Sequence, residues 1–216
     1  MKNILFTLMV VGILSLTRAH AEELQVGFAQ LSITPDLIDQ WVDVNNDAQF
    51  DPDIDLWTDV NGNGEFDAIW MAGFQNQRPA QGVKDNLMAV AVVIDDGQNR
   101  IGIITADTVG LMRKFVLSVR EAIPPEWGLD YLMVHATHNH EGPDTQGLWG
   151  PSFFSSGVNH DYMQQLQQNI LDTLNTAIDN LEPAKMSMAR IPTNPLTPIK
   201  DKRKPIVIDE DIRALL

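Results

Sequence analysis

The sequence predicts an α/β domain: a layered mixed sheet flanked by helices and interrupted by an acidic loop insertion. Three observations predict it. Strand-like runs and helix-spaced apolar residues take turns along the chain, the pattern of layered α/β domains. Two of the strand-like runs are separated by Asp96-Gly97, a hairpin signal, so they should pair as neighbours. Between Asp36 and Asp67 there are ten acidic residues and no Lys or Arg, a composition shift that marks a segment with its own task. With 216 residues and 44% hydrophobic content, the chain can bury one ordinary core.

The first residues, "MKNILFTLMVVGILSLTRAHAEE", place Lys2 before an apolar run from Ile4 to Leu16 and then Ala19-His20-Ala21, a small-x-small cleavage site. Residues 1–21 read as a signal peptide, which implies a secreted or periplasmic protein comprising residues 22–216. A membrane anchor is the competing reading, but the run is shorter than the ~20 residues that span a bilayer. No later segment is apolar enough for a stable membrane span. The chain has no cysteine, so disulfides, thiol nucleophiles and thiolate ligands are all excluded. A formal charge of -14 argues against nucleic acid and anionic membrane as electrostatic partners.

Along the rest of the chain, "LQVGFAQLSIT" (24–34) alternates loosely and stops at Pro35, a first strand. The stretches 86–95 and 100–108 form the expected hairpin. From Leu111 to Ile123, apolar residues recur at helical spacing until Pro124-Pro125 end the element. Residues 131–137, "YLMVHAT", read as a strand. From Asp161 to Leu181, Met163, Leu166, Ile170, Leu174 and Ile178 share one helix face. Residues 184–191 alternate as a strand, 191–205 form a basic, proline-rich crossing segment, and "IVIDEDIRALL" begins another strand. Ending just after a strand signal, the chain is expected to be the N-terminal part of a longer domain.

Within the acidic block, about 36–70, "DVNNDAQFD" and "DVNGNGEFD" carry oxygen side chains at relative positions 1, 3, 5 and 9. Calcium takes many oxygen ligands, and alternate residues of a tight loop can point them inward. Asp43, Asn45, Asp47 and Asp51 would form one structural Ca²⁺ site, and Asp59, Asn61, Asn63 and Asp67 a second. Neither is a full EF-hand loop, because Ile54 and Trp70 stand where the bidentate Glu belongs. Asp53 or Asp55 would have to supply the missing oxygens. A solvated acidic loop is the alternative.

Three of the five histidines lie in "VHATHNHEGPD" (134–144). His138 and His140, two apart, can share one side of an extended segment, as a metal-binding pair would; ordinary polar loop histidines fit the same letters. His135, inside the strand, and His160, at a helix start, read as structural. If the strands ending at Asp107 and before His138 are parallel neighbours, Asp107, His138 and His140 share one edge of the sheet, where such folds place ligands.

Taken together, "MAGFQNQRPAQGVKDNLMAVAVVIDDG", "IITADTVGL" and "ATHNHEGPD" resemble, in order and spacing, the N-terminal catalytic region of the neutral, alkaline, non-lysosomal ceramidases. The last motif, close to the family's "THTHSGP", is the most specific. The resemblance implies a hydrolase that cleaves the N-acyl amide bond of ceramide or a related lipid amide with water activated by one Zn²⁺. It implies His140 as a zinc ligand and His138 and Asp107 as orienting groups. One position departs from the pattern: the family's other histidine ligand lies in a "GVH" stretch, and Lys84 stands there. A lysine ammonium has no lone pair for zinc, so Lys84 either ends ordinary zinc binding or presents a charge to the substrate. The family's Glu and Tyr ligands come from a later region than these residues cover. A calcium-stabilised exported module without the metal site, or a metallohydrolase acting on another ester or amide, are the alternatives.

Overall fold

The computed structural model describes residues 23–192, 201–209 and 211–216. The signal-peptide reading of residues 1–21 and most of the crossing segment 191–205 lie outside or at the margin of the described residues.

The main sheet has five strands. β1 (Gln25–Ser32) pairs antiparallel with β4 (Met88–Asp95), which pairs antiparallel with β5 (Arg100–Ala106) through the Asp96-Gly97 turn. β5 then runs through α1 (Arg113–Glu121) and a short 3-10 turn to β6 (Tyr131–Ala136), which lies parallel to it. This crossover is the single parallel pair among the described strands, because the helix carries the chain back to the starting end of the sheet. α2 (His160–Asp179) follows, and β7 (Glu182–Pro183) closes the far edge against β1, giving the order β6-β5-β4-β1-β7. The expected mixed α/β architecture is therefore present.

The core follows from period-2 alternation in the strands meeting period-3.6 spacing in α2. Ala89, Ala91 and Val93 of β4 and Ile104 and Ala106 of β5 are buried against Leu166, Ile170 and Leu174. Each of those three helix residues is fully buried and contributes about 1.5 to 3 kcal/mol. Small residues on the sheet let the helix settle closely. A Cβ on Gly27 would lie 1.8 Å from the Ala177 carbonyl oxygen, so β1 and α2 could not approach as they do with any other residue there. Asn159 starts α2 by accepting a hydrogen bond from the Tyr162 amide at 2.9 Å. α1 joins the same cluster through Val119, so both helices cover one face. The opposite face leaves Phe28, Ile101, Tyr131 and Met133 exposed.

Two smaller sheets complete the description. β2 (Gln40–Val42) and β3 (Leu56–Thr58) pair antiparallel inside the acidic block, with Trp41 opposite Trp57. β8 (Met188–Pro192) pairs with β9 (Asp211–Leu215) as a separate ribbon. The alternation read over 184–191 places a strand four residues early, because Ala184 instead hydrogen-bonds to Leu24 and ends the edge of the main sheet.

Candidate functional site

Parallel pairing of β5 and β6 brings Asp107, just after β5, and His138 and His140, just after β6, to one edge of the sheet. The strands stay linked beyond their ends: Thr137 donates to the Ala106 carbonyl at 3.0 Å and Asn139 to that of Thr108 at 3.1 Å. His138 then turns into the left-handed region at φ 63°. Its Nδ1 lies 2.7 Å from the Val109 carbonyl, which can only accept, so Nδ1 carries the proton and, in the neutral imidazole, Nε2 has the lone pair. The Nε2 atoms of His138 and His140 lie 3.3 Å apart, their rings crossed at 73°.

That separation can be tested against a metal. Two nitrogens on a tetrahedral Zn²⁺ at ordinary bond lengths are about 3.3 to 3.4 Å apart. The separation of the imidazole pair matches two corners of such an ion and equally an N–H···N hydrogen bond between the rings, and the Val109 carbonyl sets the tautomer a ligating His138 Nε2 needs. Among the described residues no group of three His, Asp or Glu converges to complete the set.

An open groove of ≈ 900 Å³ lies beside the pair, lined by Met71, Lys84, Leu87, Asp107, Asn139 and Glu141 among others. Lys84 is exposed on that lining, while the two imidazoles are not part of it. Asp107 is half-buried, and its Oδ2 accepts from the Met88 amide at 3.0 Å; its described hydrogen bonds tie β4 to β5 and do not reach either imidazole. His135 is exposed on the helix-free side of β6, and His160 opens α2.

A strap not singled out from the sequence braces the histidine loop. Met71 donates to Arg78 and Ala80 to Ile69, folding residues 69–80 into a tight hairpin, and Ala72 donates to Gly142 at 2.9 Å while Asp144 donates to Trp70 at 2.7 Å. From this strap, Arg78 Nη2 donates to the carbonyls of Ala72 and His140, both at 2.7 Å. Phe74 meets the His140 ring edge-on at 5.4 Å. The one sequence signal for Arg78 was its isolation: no Lys or Arg precedes it after Arg18. Asp144, fully buried, holds the next loop by accepting from the amides of Gln146, Gly147, Trp149 and Gly157.

The acidic block is built as two matching halves. In the first, Asp43 accepts from the amides of Asp47 and Ala48, Asn45 from Asp47, and Asp47 from Gln49. In the second, Asp59 accepts from Asn63 and Gly64, Asn61 from Asn63, and Asn63 from Glu65. The Gly64 amide, then those of Gly62 and Asn63, hold the Asp59 carboxyl below its ordinary value. Asn61 and Asn63 both point their amide groups at Asp67 Oδ2, at 2.6 Å, so positions 3, 5 and 9 converge in that half. Asp51 instead accepts from the Asp53 amide.

Asp39 and Asp55, both buried, sit one residue before β2 and β3 and cross over. Asp39 accepts from Val60 and Asp67 of the second half, and Asp55 from Val44 and Asp51 of the first, at 2.8 to 2.9 Å. Asp55 thus ties the second half to the first through both of its oxygens, as Asp39 ties the first to the second. The repeat is longer than the sequence reading made it, running as I-D-x-W-x-D-V-N through F-D in both halves, from Ile38 and from Ile54.

No protein-family model matches the chain. Its fold is similar to that of a neutral ceramidase from Pseudomonas aeruginosa, with a TM-score of 0.56 and 16% identity over 80% of this chain and 24% of that one. It is also similar to a ceramidase complexed with C2, with a TM-score of 0.60 and 16% identity over 90% of this chain and 28% of that one. The chain spans about a quarter of the length of these solved structures.

Proposed function

We propose that this chain carries part of the catalytic region of an exported, ceramidase-like hydrolase that cleaves an N-acyl amide bond of a lipid. The observation that supports it most is the imidazole pair, spaced at 3.3 Å and fixed in tautomer by Val109, at the edge of a groove large enough for an acyl chain or head group. The fold likeness to ceramidases favours an amide over other substrates. His140 would hold the zinc with His138 beside it; bound there, zinc supplies Lewis-acid polarisation of a carbonyl and a lowered pKa for water.

The chain's own residues would do the rest. Val109 keeps the His138 lone pair directed at the site. Lys84, Asn139 and Glu141 line the groove and are the polar groups available to orient a head group, while Met71 and Leu87 supply apolar wall. The test is release of a fluorescent acyl group from an N-acylsphingosine analogue by the full-length protein, with and without a zinc chelator. Chelator-sensitive release that is lost in His140→Ala supports the reading; absence of release with zinc supplied overturns it.

A second role, structural calcium binding by the acidic block, is favoured by the repeated spacing of oxygen side chains and by the hydrogen-bond pattern common to both halves. Millimolar Ca²⁺ should raise the melting temperature, and Asp59→Ala together with Asp43→Ala should remove that rise. A melting temperature indifferent to Ca²⁺ and to chelator would exclude it.

A further inference from the structure

We infer that Arg78 is a positioning residue for the histidine site, fixing the His140 main chain against the Gly73-Phe74 turn so that the two Nε2 atoms keep their spacing. The inference rests on the zinc-site reading for its purpose, but its geometry stands independently.

Arg78 has a mostly buried side chain, 13% exposed, in a strongly acidic protein, yet its closest contacts are not to carboxylates. The ion pair to Glu141 is long, at 3.4 Å, and the glutamate is 65% exposed, so water and salt screen it. What Arg78 holds closely are two main-chain carbonyls, Ala72 on the strap and His140 on the histidine loop, both from one nitrogen. Hydrogen bonds from a charged donor are stronger than those between neutral groups. The buried Nε has no partner among the described residues, so the guanidinium is oriented for these carbonyls at the expense of its own fifth donor.

The same cation lies 5.1 Å from the centre of the Phe74 ring, whose edge contact with His140 continues the stack. Beneath the imidazole, Gly73 leaves the necessary space: a Cβ there would sit 2.6 Å from His140 Cγ. Gly73 at φ 82°, Phe74 at φ 48° and His138 at φ 63° are all left-handed. For the two non-glycine residues that conformation is strained and persists where surrounding contacts over-determine it. Arg78 bonds Ala72, just before the first of these turns, and His140, two residues after His138. Lysine does not reproduce this, because its ammonium ends about one bond short of Nη2 and is a compact point charge in place of the delocalised cation that lies over Phe74.

The experiment compares full-length wild-type protein, Arg78→Met, Arg78→Lys and Glu141→Gln. It reads the NOE between the His140 and Phe74 rings in metal-free protein and the Zn²⁺ affinity by calorimetry. Arg78→Met and Arg78→Lys should lose the ring NOE and weaken zinc by about 10- to 100-fold, the range for groups that orient a ligand. Glu141→Gln should change neither. Lysine failing to rescue separates positioning from mere charge, and Arg78→Lys decides the matter if Arg78→Met does not fold. A retained NOE in folded Arg78→Lys, with unchanged zinc affinity, overturns the inference. If wild-type protein binds no zinc, the hydrolase reading fails, and the NOE alone still decides the role of Arg78.

Discussion

Phe50 stacks on Phe66 with ring centres 3.9 Å apart and planes 26° from parallel, joining equivalent residues of the two halves of the acidic block. Trp41 meets Phe50 edge-on at 5.8 Å, so a short aromatic core lies beneath two loops rich in carboxylates and amides. Phe50 is buried, and Phe50→Ala should cost about 3 to 5 kcal/mol by urea unfolding. A cost under about 1 kcal/mol would mean that the block does not unfold with the domain.

The crossed carboxylates give a second prediction. In Asp39→Asn one of the two amides, Val60 or Asp67, faces an NH₂ group in place of an oxygen, and in Asp55→Asn the same holds for Val44 or Asp51. Each substitution should remove about 1 to 3 kcal/mol, the cost of a buried donor left unpaired. Similar losses for both are expected from the two-fold arrangement. A loss confined to one of them would show that only one half depends on its partner's carboxylate.

The Asp59 carboxyl provides a pH test. Its folded-state value is lowered, chiefly by the Gly64 amide, so the ionised form is the one the fold favours. The stabilisation is therefore present above the ordinary aspartate range and lost as pH falls through the lowered folded value. The stability difference between wild type and Asp59→Asn should accordingly be constant near neutrality and shrink as pH drops below about 4. Chemical denaturation in calcium-free buffer at a series of pH values measures it, and a difference that grows on acidification would contradict the assignment.

Much of this architecture could be read from the letters because it depends on local period. Leu166, Ile170 and Leu174 repeat at four, Ala89, Ala91 and Val93 at two, and each pattern specifies its element and its buried face. Once the strands before Asp107 and His138 are taken as parallel neighbours, their shared edge follows as well. Arg78 was not legible in this way, since its partner is a carbonyl 62 residues away and a carbonyl is the same at every position. Asp39 and Asp55 were partly legible: extending the repeat backwards by four residues would have included them. The family resemblance sets Lys84 at a ligand position, and the folded chain puts it on the groove wall.

The histidine pair yields the most direct prediction. With Nδ1 of His138 committed to Val109, its Nε2 lone pair either takes a metal corner or accepts the His140 Nε2 proton, and the two roles respond differently to substitution. If His138 orients its neighbour, His138→Ala should weaken Zn²⁺ binding by about 10- to 100-fold while His140→Ala removes it. Equal loss in both variants would make them ligands of equal standing, since a tetrahedral ion uses each corner alike. Calorimetry on the metal-free protein distinguishes these outcomes without any substrate. Lys84→His extends the same experiment to the groove: tighter zinc binding would show that the groove wall and the imidazole pair form one site. Zinc binding of equal strength in wild type and His140→Ala would remove His140 from the site.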